Sequence, residues 1–424
     1  MNSPSQNSVF RVLLASLAGT AIEFFDFYIY ATAAVLVFPK LFFPQGDPTA
    51  ATLQSLATFS LAFFARPLGS VFFGHFGDRI GRKATLVAAL LTMGVSTVLI
   101  GLLPTYASIG LAASGLLALC RFGQGFGLGG EWGGAVLLAT ENAPSGKRDW
   151  YGMFPQLGAP IGFLFSGAIF LLLSKYLDAA NFLTWGWRVP FLASSALVLV
   201  GLYVRLNITE TPAFLEASSR GSHVALPMVD LLRNHLRTVI LGTFAAVATF
   251  VIFYILIVFS LSWGTTHLGY SRETFLIIQL VGVLFFALSI PCTAWISSRI
   301  GRRNMLLLAS LAIFFFGLFF GRIFSAGTPG VVSTLVIGFL LMGVTYAPLG
   351  TFLSELFPVE VRYTGASITF NIAGILGASL TPYLATSLAI EHGLGSVGLY
   401  LAGMSAISLI ALILTKQQRG AGEA

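Results

Sequence analysis

Five ionisable side chains stand inside long apolar stretches of this sequence: Glu23, Asp26, Arg66, Arg121 and Glu131. The contrast is sharpest in RFGQGFGLGGEWGGAVLLATENAP, residues 121–144, where an arginine and a glutamate interrupt what otherwise reads as an apolar helix. A guanidinium presents two parallel N–H donors that match a carboxylate, a geometry lysine does not reproduce. Carboxyl groups in the same layer can load and unload a proton. With all five ionised the set carries one net negative charge, so a single bound proton neutralises it. Glu23, Asp26 and Tyr30 follow i, i+3, i+7 spacing and share one helix face. The chemistry these residue types suggest is anion capture linked to proton binding.

The elements that must position them follow from composition. The chain of 424 residues is 56% hydrophobic and 9% charged, with 39 phenylalanines; ordinary soluble domains carry roughly a quarter charged residues. Too few polar groups exist to cover such a surface, so its solvent is lipid. Apolar stretches recur at 11–38, 50–74, 84–103, 107–138, 150–173, 187–205, 237–262, 273–297, 304–323, 330–353, 361–388 and 394–415. Each is about long enough to cross a ~30 Å hydrocarbon core. The expectation is an all-α membrane protein with twelve transmembrane helices in two six-helix halves. The halves are 11–205 and 237–415, joined by a cytoplasmic linker at 206–236 and flanked by a disordered tail at 1–10 and a cytoplasmic tail at 416–424.

Orientation follows from the basic residues. Arg79, Arg82, Lys83, Lys147, Arg148, Arg205, Arg299, Arg302, Arg303 and Arg362 gather on one face, while the opposite face holds Lys40, Lys175, Arg188, Arg272 and Arg322. The positive-inside rule makes the rich face cytoplasmic, with both termini on that side. The net charge of +7 is therefore a topology signal. Nucleic acid is excluded as a partner, because no basic run with interleaved aromatics projects from the membrane. Ala31-Thr32-Ala33 resembles a leader cleavage site, but the segment before it is long and carries Glu23 and Asp26, so it reads as a retained span. Cys120 and Cys292 both fall within spans, and the five histidines show no ligand spacing. Neither a metal site nor a cofactor is expected. No nucleophile–base constellation is present, so no catalytic residue is assigned and the chain does not read as an enzyme.

Charge at membrane depth is costly. On insertion scales each group costs about 2.5–3.5 kcal/mol, and five unpaired groups on the order of 12–18 kcal/mol. They must therefore face one another or a water-filled path. At ~1.5 Å per residue, Asp26 lies roughly 22 Å and Arg121 roughly 27 Å from the cytoplasmic ends of their spans, with Arg66 and Glu131 at roughly 12–14 Å. Depth thus pairs Arg121 with Asp26 and Arg66 with Glu131. Substrate would bind at Arg121, near mid-depth, with Tyr30, Gln156, Trp132, Tyr254, Tyr346 and Asn371 around it and Gln279 nearby. Asp26 is the first proton carrier, with Glu23 and Glu131 as rivals. The glycines Gly123, Gly125, Gly127, Gly129 and Gly130 lack the preceding strand and following lysine of a phosphate loop; small residues on one helix face let neighbouring helices approach.

The two halves are related. GHFGDRIGRK (74–83) matches AWISSRIGRR (294–303), and ENAPSGKR (141–148) matches ELFPVEVR (355–362) at a nearly equal offset. GHFGDRIGRK also resembles the signature loop of the major facilitator superfamily. RFGQGFGLGGEWGGA, GWRVPF (186–191), ETPAF (210–214) and EFFDFYIY (23–30) resemble its metabolite:proton symporter branch, which includes carriers for shikimate, 2-oxoglutarate, citrate, and proline or betaine. The similarity runs from about residue 11 to 415.

That resemblance implies an inner-membrane carrier that works by alternating access, with one chain supplying both halves of the pathway as a monomer. It also implies a latch on the cytoplasmic side, in which Asp78 sits against the start of the eleventh helix with Arg82 in the same network. Glu141, Arg148, Glu355 and Arg362 are placed to form ion pairs that break when this side opens, and Arg66 would pair deeper in the first half. The leading expectation is proton-coupled uptake of a small mono- or dicarboxylate. Uptake of a zwitterion such as proline or betaine is the alternative, and proton-coupled efflux is a third. The osmosensing carriers of the branch carry a long C-terminal coiled coil, whereas a short polar tail follows Leu414 here.

Overall fold

With no water in the hydrocarbon layer, a spanning backbone must satisfy its N–H and C=O groups within its own segment, and helix is the local answer. The computed structural model describes residues 9–44, 47–80, 82–129, 131–141, 143–144, 146–206, 227–358 and 361–415. The first six spanning helices are α1 (Val9–Leu36), α2 (Pro48–Ile80), α3 (Arg82–Leu102), α4 (Leu111–Leu128, resuming as Trp132–Glu141), α5 (Arg148–Tyr176) and α6 (Arg188–Leu206). The second six are α7 (Leu236–Thr266), α8 (Arg272–Ile300), α9 (Arg302–Phe324), α10 (Gly327–Glu355), α11 (Thr364–His392) and α12 (Leu394–Leu414). Among the described residues ten helices are long and apolar enough to cross a membrane, and α1 with the shorter apolar stretch Val87–Leu102 completes the anticipated set. Side chains such as Phe165, Leu199 and Ile413 are exposed on the outer surface, as a lipid-facing surface requires. Of the anticipated linker, Pro227–Asn234 is helical and 207–226 lie outside the described residues.

Three irregularities depart from the simple reading. The fourth span is not one continuous helix: it ends at Leu128 and restarts at Trp132. α7 contains a π-helical turn at Ile255–Phe259, and α11 one at Ile375–Ser379. A π turn leaves carbonyls poorly matched to their own helix. In α7 a neighbour supplies the missing donor: Gln279 Nε2 donates to the carbonyls of Leu256 and Ile257, both at 3.0 Å. Gln279, expected near the substrate, holds this turn through its amide nitrogen.

The first half packs α1 against α5 and α2 against α4; the second packs α8 against α10, α9 against α12 and α7 against α11. The halves meet along α5–α8 and α2–α11. Close approach needs glycine at two crossings. A Cβ on Gly158 of α5 would strike the side chain of Thr20 in α1, and one on Gly125 of α4 would strike the backbone of Ala62 in α2. Backbone atoms have nowhere to go, so Gly125→Leu is expected to exceed the ~1–3 kcal/mol typical of overpacking. Loss of the monodisperse peak in size-exclusion chromatography checks this, and a variant with unchanged thermal stability would contradict the close crossing.

Candidate functional site

Arg121 is the centre of the site. It leaves α4 toward the junction of α1 and α2 and is fully buried. Its Nε donates to the Phe59 carbonyl at 3.3 Å and its Nη1 to Gln124 Oε1 at 3.1 Å, while Nη2 has no partner. Its guanidinium carbon lies 4.1 Å from the ring centre of Tyr30, 4.4 Å from Phe27 and 4.7 Å from Phe59. Each cation–π contact contributes about 0.5–2 kcal/mol, more as water is excluded. Three ring faces and two neutral acceptors therefore hold this cation.

Asp26 does not pair with Arg121. Its Oδ1 accepts from Ser194 Oγ of α6 at 2.5 Å, and its Oδ2 is buried without a partner. The second expected pair also gives way. Glu131 accepts both Arg205 Nη1 at 2.8 Å and Nη2 at 2.9 Å, a two-pronged pair at the foot of α6. Arg66 lies over the rings of Phe27 and Phe63 at 5.1 and 5.0 Å. Depth alone misassigned both pairs because it ignores azimuth: α6 brings Ser194 and Arg205 to the acids from the side. Glu23 is buried and feels the charges of Glu131, Arg66 and Arg205.

The neutral candidates fall into two layers. Tyr30 and Tyr254 belong to the arginine layer; Tyr254, just before the π turn of α7, stands edge-on to Phe27 at 6.1 Å and Phe63 at 5.4 Å. Trp132, Gln156, Tyr346 and Asn371 form a second layer that joins the halves. Trp132 stacks on Phe370 with ring centres 3.5 Å apart, and Gln156 Nε2 donates to the Tyr346 carbonyl at 3.0 Å. Asn371 Nδ2 donates to Ser70 Oγ at 3.0 Å, and that hydroxyl donates to the Gly129 carbonyl freed by the break in α4. Trp132 Nε1, Gln156 Oε1 and the Tyr346 hydroxyl are buried without partners.

On the Lys/Arg-rich face the clasp differs from expectation. Arg302 of α9 donates to Asp149 of α5 through Nε and to Glu355 of α10 through Nη1, tying the first half to the second. Glu355 thus pairs with Arg302, and Arg362 gives its Nε to the Phe357 carbonyl at 3.3 Å. Arg148 is exposed at the start of α5. The side chains of Asp78, Arg82 and Glu141 lie outside the described residues. Asp149 and Arg302 escaped the sequence reading although both were within reach: Arg302 is the repeat counterpart of Arg82, and Asp149 follows the ENAPSGKR repeat directly. Gln124 shares the face of Arg121 by i, i+3 spacing, whereas Ser194 carried no signal. On the opposite face, Arg272 of α8 lies 4.1 Å from the ring of Phe182, another contact between the halves.

Two related six-helix halves enclosing buried charges at their seam define a membrane transporter of the major facilitator fold. The solved proton:xylose symporter XylE has the same architecture, with a TM-score of 0.77 at 18% identity over 96% of this chain and 94% of that one. The family model described as Sugar (and other) transporter matches residues 11–225 and 225–416, and the chain belongs to that family. It is 56% identical to the Inner membrane metabolite transport protein YhjE of Escherichia coli K12, over 97% of this chain and 95% of the relative. It is 36% identical to the Shikimate transporter of the same organism, over 96% and 95%.

The clasp yields a direct expectation. A charge-assisted hydrogen bond is worth about 1.5–3 kcal/mol, so losing one shifts a two-state balance roughly tenfold or more. Asp149→Asn should raise the labelling rate of cysteine probes placed on the inner walls of α5 and α10 near this face by about that factor. Unchanged labelling would show that the clasp does not hold the halves together.

Proposed function

We propose that this transporter imports a small organic acid together with protons across the inner membrane, by alternating access. The observation that carries this reading is the state of Arg121: a fully buried guanidinium held by a carbonyl, an amide and ring faces, with one nitrogen unpartnered. A buried charge normally demands an opposite charge. Here that place is left to a ligand, and the fork of the guanidinium selects a carboxylate. The relative named for shikimate, itself a carboxylate, supports the same class.

Asp26 is the proton carrier in this reading. Glu131 is committed to Arg205 on both oxygens, whereas Asp26 is held by one hydroxyl and keeps an oxygen free. A proton on Asp26 removes the need for a counter-ion at mid-depth, and the inward proton gradient supplies the work: one charge crossing 100 mV is worth about 2.3 kcal/mol. The second half contributes neutral groups, Tyr254, Tyr346 and Asn371, that shape the acid's remainder. Transport then means breaking the Arg302 clasp on the cytoplasmic side and the Arg272–Phe182 contact on the other, in alternation.

Charge movement in proteoliposomes tests this, with mono-, di- and tricarboxylates and zwitterions offered one at a time at fixed pH. A carboxylate current is expected that vanishes in Arg121→Gln, while Asp26→Asn loses proton-driven accumulation but keeps exchange. Currents from zwitterions alone, or carboxylate currents that survive Arg121→Gln, would overturn the reading.

A further inference from the structure

A concave feature lies away from the charged layers, on the outer surface of the seam between the halves. It is a groove of about 410 Å³ between α5 and α8, with Leu164, Ala168 and Leu171 on one wall and Ile277, Leu280 and Leu284 on the other. Small residues make room for it. Gly167 and Ala168 leave α5 narrow here, and a Cβ on Gly167 would stand 2.8 Å from Leu280 Cδ2. Phe165, Val281 and Leu284 along its rim are exposed, so the groove opens toward the hydrocarbon. Every side chain lining it is apolar, and none can hydrogen-bond a polar metabolite.

Each wall carries a charge one turn beyond its last apolar residue. On α5, Leu164, Ala168, Leu171 and Lys175 fall at i, i+4, i+7 and i+11 and share one stripe. On α8, Glu273, Ile277, Leu280 and Leu284 follow the same spacing. The two helices run antiparallel, so Lys175 and Glu273 stand at the same end of the groove, on the face opposite the Lys/Arg-rich one. Tyr176 and Trp185 are exposed at that end, as aromatic side chains are at head-group depth. Among the described residues no ion pair engages Lys175 or Glu273. The lysine Nζ lies 5.8 Å from the ring centre of Tyr176.

We propose that this groove binds one phospholipid whose head group carries both a phosphate and a primary ammonium, as phosphatidylethanolamine does. An acyl chain lies in the apolar groove, the phosphate meets the Lys175 ammonium, and the lipid's own ammonium donates to the Glu273 carboxylate. Two opposite charges at one mouth fit a zwitterion; against a purely anionic head group Glu273 is repulsive. A trimethylated ammonium has no N–H to give the carboxylate, so phosphatidylcholine fits less well. Because α5 belongs to the first half and α8 to the second, the bound lipid leans on both sides of the seam.

Native mass spectrometry of the full chain, in detergent micelles holding equal amounts of phosphatidylethanolamine, phosphatidylglycerol and phosphatidylcholine, tests the site. One phosphatidylethanolamine is expected to stay bound in preference to the other two. Lys175→Gln and Glu273→Gln should each weaken its retention by about three- to fivefold, the scale of a partly exposed ion pair. Ala168→Trp, which fills the groove, should abolish it, while Arg322→Gln, an exposed charge on the same face but on α9, should leave it unchanged. The two glutamine variants alter surface groups only, so they decide the matter even if Ala168→Trp does not fold. In liposomes, phosphatidylethanolamine with a photoreactive group in its acyl chain should crosslink to peptides covering 164–171 and 277–284. Equal retention of all three lipids, a preference for phosphatidylglycerol, or native retention in both Lys175→Gln and Glu273→Gln would overturn the proposal. Crosslinks that fall only elsewhere on the surface would overturn it as well.

Discussion

A guanidinium sealed from water has five N–H donors to satisfy and a charge to neutralise, and most of the interior is arranged around meeting that demand for Arg121. Phe59 lends a carbonyl, Gln124 an amide oxygen, and Tyr30, Phe27 and Phe59 their ring faces. The same rings continue through Phe63 and Tyr254 to the second half, so the layer that accommodates the cation is also the layer where the halves touch. The demand is met incompletely. One nitrogen remains unpartnered, and the proposed carboxylate would meet that deficit.

The seam between the halves is polar in a particular way. Gln156 reaches a carbonyl of α10, Asn371 reaches a hydroxyl of α2, and Arg302 spans α5 and α10. Each bond is modest in net worth because its groups would otherwise meet water or one another. Several modest, directional bonds make an interface that is well registered yet separable, which a purely interdigitated apolar seam would not be. Trp132 on Phe370 adds a flat contact that can slide without leaving polar atoms stranded.

The architecture was legible in the sequence because lipid imposes a length and a composition on every span, and the chain obeys both. The duplicated loops were legible because they repeat, and Arg121 stood out because charge is scarce. Partners were not legible. Asp26 and Glu131 were assigned to cations at similar depth, whereas α6 delivers Ser194 to one and Arg205 to the other. Depth is a one-dimensional coordinate along each helix; which faces meet depends on helix rotation, set by glycine crossings such as Gly125 on Ala62. The bonds of Gln279 were hidden for a related reason, since an isolated sequence does not reveal that a neighbouring helix contains a π turn in need of a donor.

That π turn couples two helices in a further way. A π turn amounts to one inserted residue in an α-helix, and everything beyond it is rotated by about a hundred degrees relative to what lies before. In α7 the insertion turns the upper helix, Ser260–Thr266, out of phase with Tyr254 below, and Gln279 of α8 compensates the carbonyls it displaces. Removing the extra residue would orphan the glutamine's donor, and removing the glutamine would orphan two carbonyls. The length of one helix and the identity of a residue on another are thereby tied together.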